Sequence, residues 1–134
     1  MRAGEIRVAI NSDQDIVTAR QRGRALAIEL AFSAGDATLI ATSISELARN
    51  IVSYARRGEI TLKIVQASGR QGIAIIASDG GPGIRDIRQA MKDGFSTSGS
   101  LGLGLPGVRR LMDDFEIASE PGRGTIVTVK KWKL

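Results

Sequence analysis

The chain has neither cysteine nor histidine in its 134 residues. Without cysteine it can form no disulfide frame and no thiolate, which predicts a cytoplasmic protein. Without histidine it lacks the commonest general base, the commonest zinc ligand and any phosphohistidine, so it cannot be a self-contained histidine kinase. A catalytic base must then be a carboxylate or, less readily, a lysine. Aromatic residues are scarce: one Trp, one Tyr and three Phe leave little for stacking on bases, so no nucleic-acid partner is expected despite a net charge of +5. No apolar run approaches the ~20 residues of a membrane span. Met1 to Glu5 lack the apolar centre of a secretory signal, and no membrane role is expected.

What remains is an ordinary globular composition, 43% apolar and 25% charged. Residues 1–134 are expected to form a single domain. Ile6 to Ile10 alternate as a first strand. Ser12, with Asp15 three residues on, reads as the N-cap of a helix running from Asp13 to about Phe32. Gly35 is expected to stop it, and Asp36 to cap a second helix reaching about Ala55. Ile40, Ile44, Leu47 and Ile51 make that helix's apolar stripe. Ile60, Leu62 and Ile64 then alternate with Glu59, Thr61 and Lys63, predicting one buried and one wet face. The run from Gly72 to Ala77 is apolar throughout, as a central strand would be, and Asp79 stands at its end. Asp86 to Lys92 could form a short helix and Asp93 to Ser100 a mobile loop, so a lid over Arg85 to Leu101 is expected to order around a ligand. A helix from Leu105 to about Asp113 and a hairpin turning at Glu120 to Gly124 close the chain. Consecutive strands with helices to one side predict an α+β two-layer sandwich on a mixed, mostly antiparallel sheet.

Eight of the sixteen glycines fall between Gly80 and Gly107, where the backbone must turn sharply or approach a ligand closely. Asp79-Gly80-Gly81-Pro82-Gly83-Ile84 places a carboxylate at the end of an apolar strand with glycine turns directly after it. That suits a nucleotide site in which the carboxylate reads the base, although two surface turns would look the same. Gly102-Leu103-Gly104-Leu105-Pro106-Gly107 matches a dinucleotide fingerprint by letter, but no apolar strand precedes it. It also has Walker A glycine spacing, yet Val108 and Arg109 occupy the places of Lys and Ser/Thr. Both readings fail.

Glu46 and Asn50 are four apart and share a helix face, roughly 100° from the apolar stripe. They flank the core and can point into a cleft, though such a pair is often merely solvated. Together with Asp79 to Ile84, Gly102 to Gly107 and Gly124-Thr125, they give the chain a resemblance to the ATP-binding superfamily of gyrase, Hsp90, histidine kinases and MutL, the Bergerat or GHKL fold. Gly94 to Val108 and Met112 to Phe115 narrow the resemblance to the small bacterial serine kinases that partner STAS-domain antagonists, the switch kinases of the stressosome.

The resemblance implies a protein-serine/threonine kinase that binds ATP and Mg²⁺. It implies Glu46 as general base, Asn50 as the Mg²⁺ ligand, and Asp79, with Thr125 beside it, as the acceptor of the adenine amino group. Gly81 and Gly83 would let the backbone pass the base; Gly102 and Gly104 would give N–H groups to the phosphates, and Ile84 and Leu103 line the same site. The implied substrates are STAS-domain proteins, antagonist and scaffold. The implied second role is to bind and activate a downstream PP2C-type phosphatase once released. Related anti-sigma kinases, with a different lid, and an ATP-gated binding module without transfer are the alternatives. No lysine or arginine stands in a Walker-like place, so the cation on the γ-phosphate is open, with Arg49 and Arg109 as candidates.

Overall fold

In a computed structural model, residues 5–83, 91 and 104–134 are described. The expected helix at Asp86 to Lys92 and the lid over Arg85 to Leu101, apart from Met91, lie outside them. So do Ile84, Gly102 and Leu103. Five strands, β1 (Glu5–Ile10), β2 (Gly58–Ala67), β3 (Arg70–Asp79), β4 (Asp114–Glu120) and β5 (Gly124–Trp132), form one sheet in the order β1-β2-β3-β5-β4. All four pairings are antiparallel, so the expected mostly antiparallel sheet has no parallel pair among the described strands. Among the described residues three α-helices, α1 (Asp13–Glu29), α2 (Ala34–Asn50) and α3 (Gly104–Leu111), pack on one face. The fold is the predicted α+β sandwich. No helix among the described residues is long and apolar enough to cross a membrane.

Register explains which side chains enter the core. Val8 faces Ile60, which faces Ala77, which faces Val127, so one residue from each of four strands lines up on the helix-covered face. In the next row Leu62 faces Ile75, which in turn faces Val129. Ile40, Ile44 and Leu47 press onto these rows from α2, Ile51 from the turn directly after it, and Val108 from α3, all fully or nearly fully buried. The α2 stripe thus lies where its four-three-four spacing put it.

Several local expectations change. Helix α1 ends at Glu29, not near Phe32, in a Schellman turn: Phe32 N–H donates to the Ala27 carbonyl and Ala31 N–H to that of Ile28. The left-handed residue is Ala31 (φ 64°), where glycine is usual, so no glycine marks the stop. Gly35 lies inside the first turn of α2. The N-cap is Ser33, whose Oγ accepts the Asp36 N–H at 3.0 Å, and Asp36 is a first-turn acid. The second helix does reach Ala55, but its last five residues, Ile51–Ala55, form a π-helical turn that ends at Arg56 with φ 72°. Thr61, expected on a wet face, is buried between its neighbours Arg7 and Ile76 on the uncovered side of the sheet.

Ile75, on the middle strand with helices above it, tests this packing. Ile75→Ala is expected to cost about 2–5 kcal/mol and Ile75→Val about 0.5–1.5 kcal/mol in denaturant unfolding. Equal, small losses for both would contradict a close-packed centre at β3.

Candidate functional site

Asp79 is the last residue of β3, facing Gly58 on β2 and Thr125 on β5. Its Oδ1 accepts the Gly81 N–H at 2.9 Å, a local Asx turn that fixes the carboxylate's orientation. No described residue bonds to Oδ2, which stays available as an acceptor. Thr125 is held too: its Oγ1 lies 2.8 Å from Ser119 Oγ, which also donates to the Gly124 carbonyl at 3.0 Å. Ser119 is the residue that sequence reasoning missed. Its signal was present in the hairpin, because a turn at Glu120 to Gly124 pairs position 119 with 125.

The turn after Asp79 is wedged between two other elements. A Cβ on Gly81 would lie 2.6 Å from that of Ala55, the end of the π-helical turn that continues α2. Gly83 has φ 77°, and a Cβ there would strike the Glu120 carbonyl oxygen. The Gly122 N–H donates to the Pro82 carbonyl at 2.7 Å, tying the turn to the β4–β5 hairpin. Gly124 (φ 113°) is pressed against the Asp79 carbonyl oxygen. Protein contacts alone therefore require glycine at 81 and 83, whatever else passes over them. Gly80, by contrast, is exposed, and a Cβ there would meet nothing within 4 Å.

Glu46 and Asn50 lie on the last turns of α2, the segment that runs straight into the π-helical turn against Gly81. Asn50 is half-buried. Glu46 is 9% exposed, and no described residue hydrogen-bonds or ion-pairs with its carboxylate. Its oxygens are not among the buried polar atoms left without a partner, so they reach solvent or a group outside the described residues. Gly104 opens α3 with φ 65°, and α3 packs on α2. The structure brings Asp79, Gly81, Gly83, Gly124 and Thr125 together at the junction of β3, the hairpin and the π-helical turn, while Glu46 and Asn50 lie upstream on α2 and Gly104 opens the helix packed on it. No cluster of three acidic side chains that could hold a metal occurs among the described residues. A magnesium ion held by one neutral oxygen and by phosphates needs no such cluster, so Asn50 with a nucleotide fits that chemistry. The free Asp79 Oδ2 likewise fits an amino-group donor.

Residues 35–134 match the family of histidine kinase-, DNA gyrase B-, and HSP90-like ATPases. The chain belongs to that family. It is therefore an ATP-binding protein. The chain is 55% identical, over 93% of its length and 94% of the relative's, to serine/threonine-protein kinase RsbT of Bacillus subtilis. It is RsbT-like, and its enzyme class is protein-serine/threonine kinase. It is also 34% identical to an anti-sigma F factor of a Thermoanaerobacter species, over 69% of this chain and 68% of that protein. Among solved structures it resembles the RsbU and RsbW domains of a Mycobacterium tuberculosis protein, with a TM-score of 0.63 and 19% identity, over 95% of this chain and 32% of that one. A mycobacterial sensor histidine kinase, MprB, matches with a TM-score of 0.56 and 15% identity over 96% and 97% of the two chains. These two likenesses concern the fold.

The crowding around Asp79 gives a paired test. Gly124→Ala forces a side chain into a left-handed conformation and against the Asp79 carbonyl, and is expected to destabilise the fold by at least about 1–3 kcal/mol. Gly80→Ala meets open space and is expected to stay within about 0.5 kcal/mol of wild type. Thermal melting of both variants checks this; equal stability would mean that the turn is not seated as described.

Proposed function

We propose that this kinase transfers the γ-phosphate of ATP to a serine or threonine of STAS-domain proteins, antagonist and scaffold, in a stress-signalling partner switch. Released from them, it binds and activates a downstream regulator, a PP2C-type phosphatase. It acts in the cytoplasm, with residues 1–134 as one ATP-binding kinase domain. The observation that carries the reading is Glu46, a buried residue whose carboxylate has no described partner, one turn from Asn50 on the helix whose π-helical continuation abuts the Asp79 turn.

Each residue then has a chemical task. Asp79 accepts a hydrogen bond from the adenine amino group through the oxygen not used by Gly81, and Thr125, held by Ser119, supports it directly or through water. Gly81, Gly83 and Ile84 pass beside the base, and Gly102, Leu103 and Gly104 offer backbone N–H groups to the phosphates. Asn50 supplies its side-chain oxygen to Mg²⁺, which neutralises phosphate charge when bound. Glu46 accepts the proton of the acceptor hydroxyl as that oxygen bonds to the γ-phosphorus. The bond from the γ-phosphorus to the bridging oxygen breaks, and ADP leaves with the electron pair. Positioning and charge neutralisation account for most of catalysis in such a transfer, and an ionised carboxylate suffices as the base. The similarity to the anti-sigma F factors favours a second reading, an anti-sigma kinase, but it covers less of the chain at lower identity than the similarity to RsbT.

Label from γ-labelled ATP is expected to appear on serine or threonine of a STAS-domain protein encoded beside this gene. Glu46→Gln, which keeps the shape and loses the basicity, is expected to bind ATP with near wild-type affinity and to transfer at least about 100-fold more slowly. Wild-type turnover by Glu46→Gln would remove Glu46 as base. Tight ATP binding and a stable STAS complex without any labelled product would leave a nucleotide-gated binding module instead.

A further inference from the structure

Among the described residues only two buried side-chain polar atoms lack a hydrogen-bond partner, Ser43 Oγ and Arg49 Nε, and both belong to α2. Glu46 stands midway between them. Residues 43, 46 and 49 follow one another at steps of three and form a continuous ridge along the helix. The ridge therefore carries a hydroxyl oxygen and a guanidinium nitrogen buried without a described partner, with a carboxylate that has no described partner between them. Helical side chains lean toward the N-terminus, so that of Arg49 lies over the turn that contains Glu46.

A glutamate and an arginine three apart on a helix are well placed to pair. Here Glu46 and Arg49 do not, and Arg49 forms no ion pair with any other described residue. A guanidinium stays charged at every working pH, so its buried Nε–H keeps an unmet demand for an anionic acceptor. If Glu46 met that demand, it would be a poorer proton acceptor. A third group between the two satisfies both: an anion for Arg49 that also brings a hydroxyl proton to Glu46.

We propose that Arg49 is the cation that contacts the γ-phosphoryl group during transfer, an assignment that rests on the reading of Glu46 and Asn50 given above. Asn50, the next residue, would hold Mg²⁺, and the Arg49 fork would contact the terminal phosphate's oxygens beside Glu46. The charge that spreads over those oxygens needs a fixed cation, and a half-buried guanidinium whose Nε is shielded from water serves better than a fully hydrated one. Arg109, on α3, is exposed and lacks that shielding.

The test measures binding as well as transfer. In Mg²⁺ buffer, Arg49→Gln is expected to weaken ATP about tenfold or more while ADP affinity changes less than about twofold. Arg49→Lys, which keeps the charge and loses the fork, is expected to fall between Arg49→Gln and wild type. Melting of the nucleotide-free variants reports whether they fold. In the wild-type protein, the Arg49 Nε–H resonance is expected to move with a non-hydrolysable ATP analogue and to stay in place with ADP. ATP and ADP affinities that fall together or remain unchanged, or a resonance that responds alike to both nucleotides, would overturn the proposal. Glu46→Gln keeps the preference for ATP over ADP whether or not Glu46 is the base. Failure of the base and failure of the phosphate contact therefore give different patterns.

Discussion

Several glycines are packed tightly against the end of β3, and the site depends on that crowding. Gly124 lies against the Asp79 carbonyl, a Cβ on Gly58 would come 3.0 Å from the Asp79 Cβ, and Gly81 fits only against Ala55. The first two join β5 and β2 to the aspartate, and the third joins the turn after α2 to the glycine that holds its carboxylate. Any side chain at these glycines would push one element off the others and move the carboxylate. With them in place, the Gly81 N–H holds one carboxylate oxygen and the other has no partner among the described residues. Ordering this group in advance removes an entropic cost that a ligand would otherwise meet on binding.

Helix α2 shows the complementary arrangement. Its inner stripe of Ile40, Ile44, Leu47 and Ile51 is fully or nearly fully buried and supplies much of the core. The neighbouring ridge carries two buried polar atoms, Ser43 Oγ and Arg49 Nε, with no partner among the described residues, on either side of Glu46. Each such group typically costs about 1–3 kcal/mol. The same helix therefore anchors the fold with one face and tolerates unsatisfied groups on the next. Local rules broken on a well-packed element are the mark of a functional surface.

Much of this was legible beforehand. The period of α2, the central strand ending at Asp79 and the closing hairpin follow from spacing, turn residues and β-branched runs. The joint pattern of Glu46, Asn50, the Asp79 turn, the Gly102 to Gly107 run and Gly124-Thr125 singled out the candidate site because four weak motifs in a fixed order restrict one another. Other features were hidden for physical reasons. Ala31 takes the left-handed place at the end of α1 that glycine normally marks, so that helix carried no stop signal. The π-helical turn at Ile51–Ala55 keeps a helical apolar pattern and differs only in which carbonyl each N–H meets. Thr61 is buried by neighbours on adjacent strands, which no alternation along β2 can reveal. The missing partners of Glu46 and Arg49 are a property of packing, and no spacing announces them.

The most direct measurement is a comparison of ATP with inosine triphosphate, which has a carbonyl where adenine has its amino group, by titration calorimetry in Mg²⁺. If the Asp79 turn reads the base, the free carboxylate oxygen loses its donor and faces another acceptor. ATP is then expected to bind at least about tenfold more tightly, the usual consequence of leaving a charged hydrogen-bonding group unpaired. Equal affinities for the two nucleotides would contradict the account, because Asp79 would then be a structural residue of the β3 turn and the base would lie elsewhere.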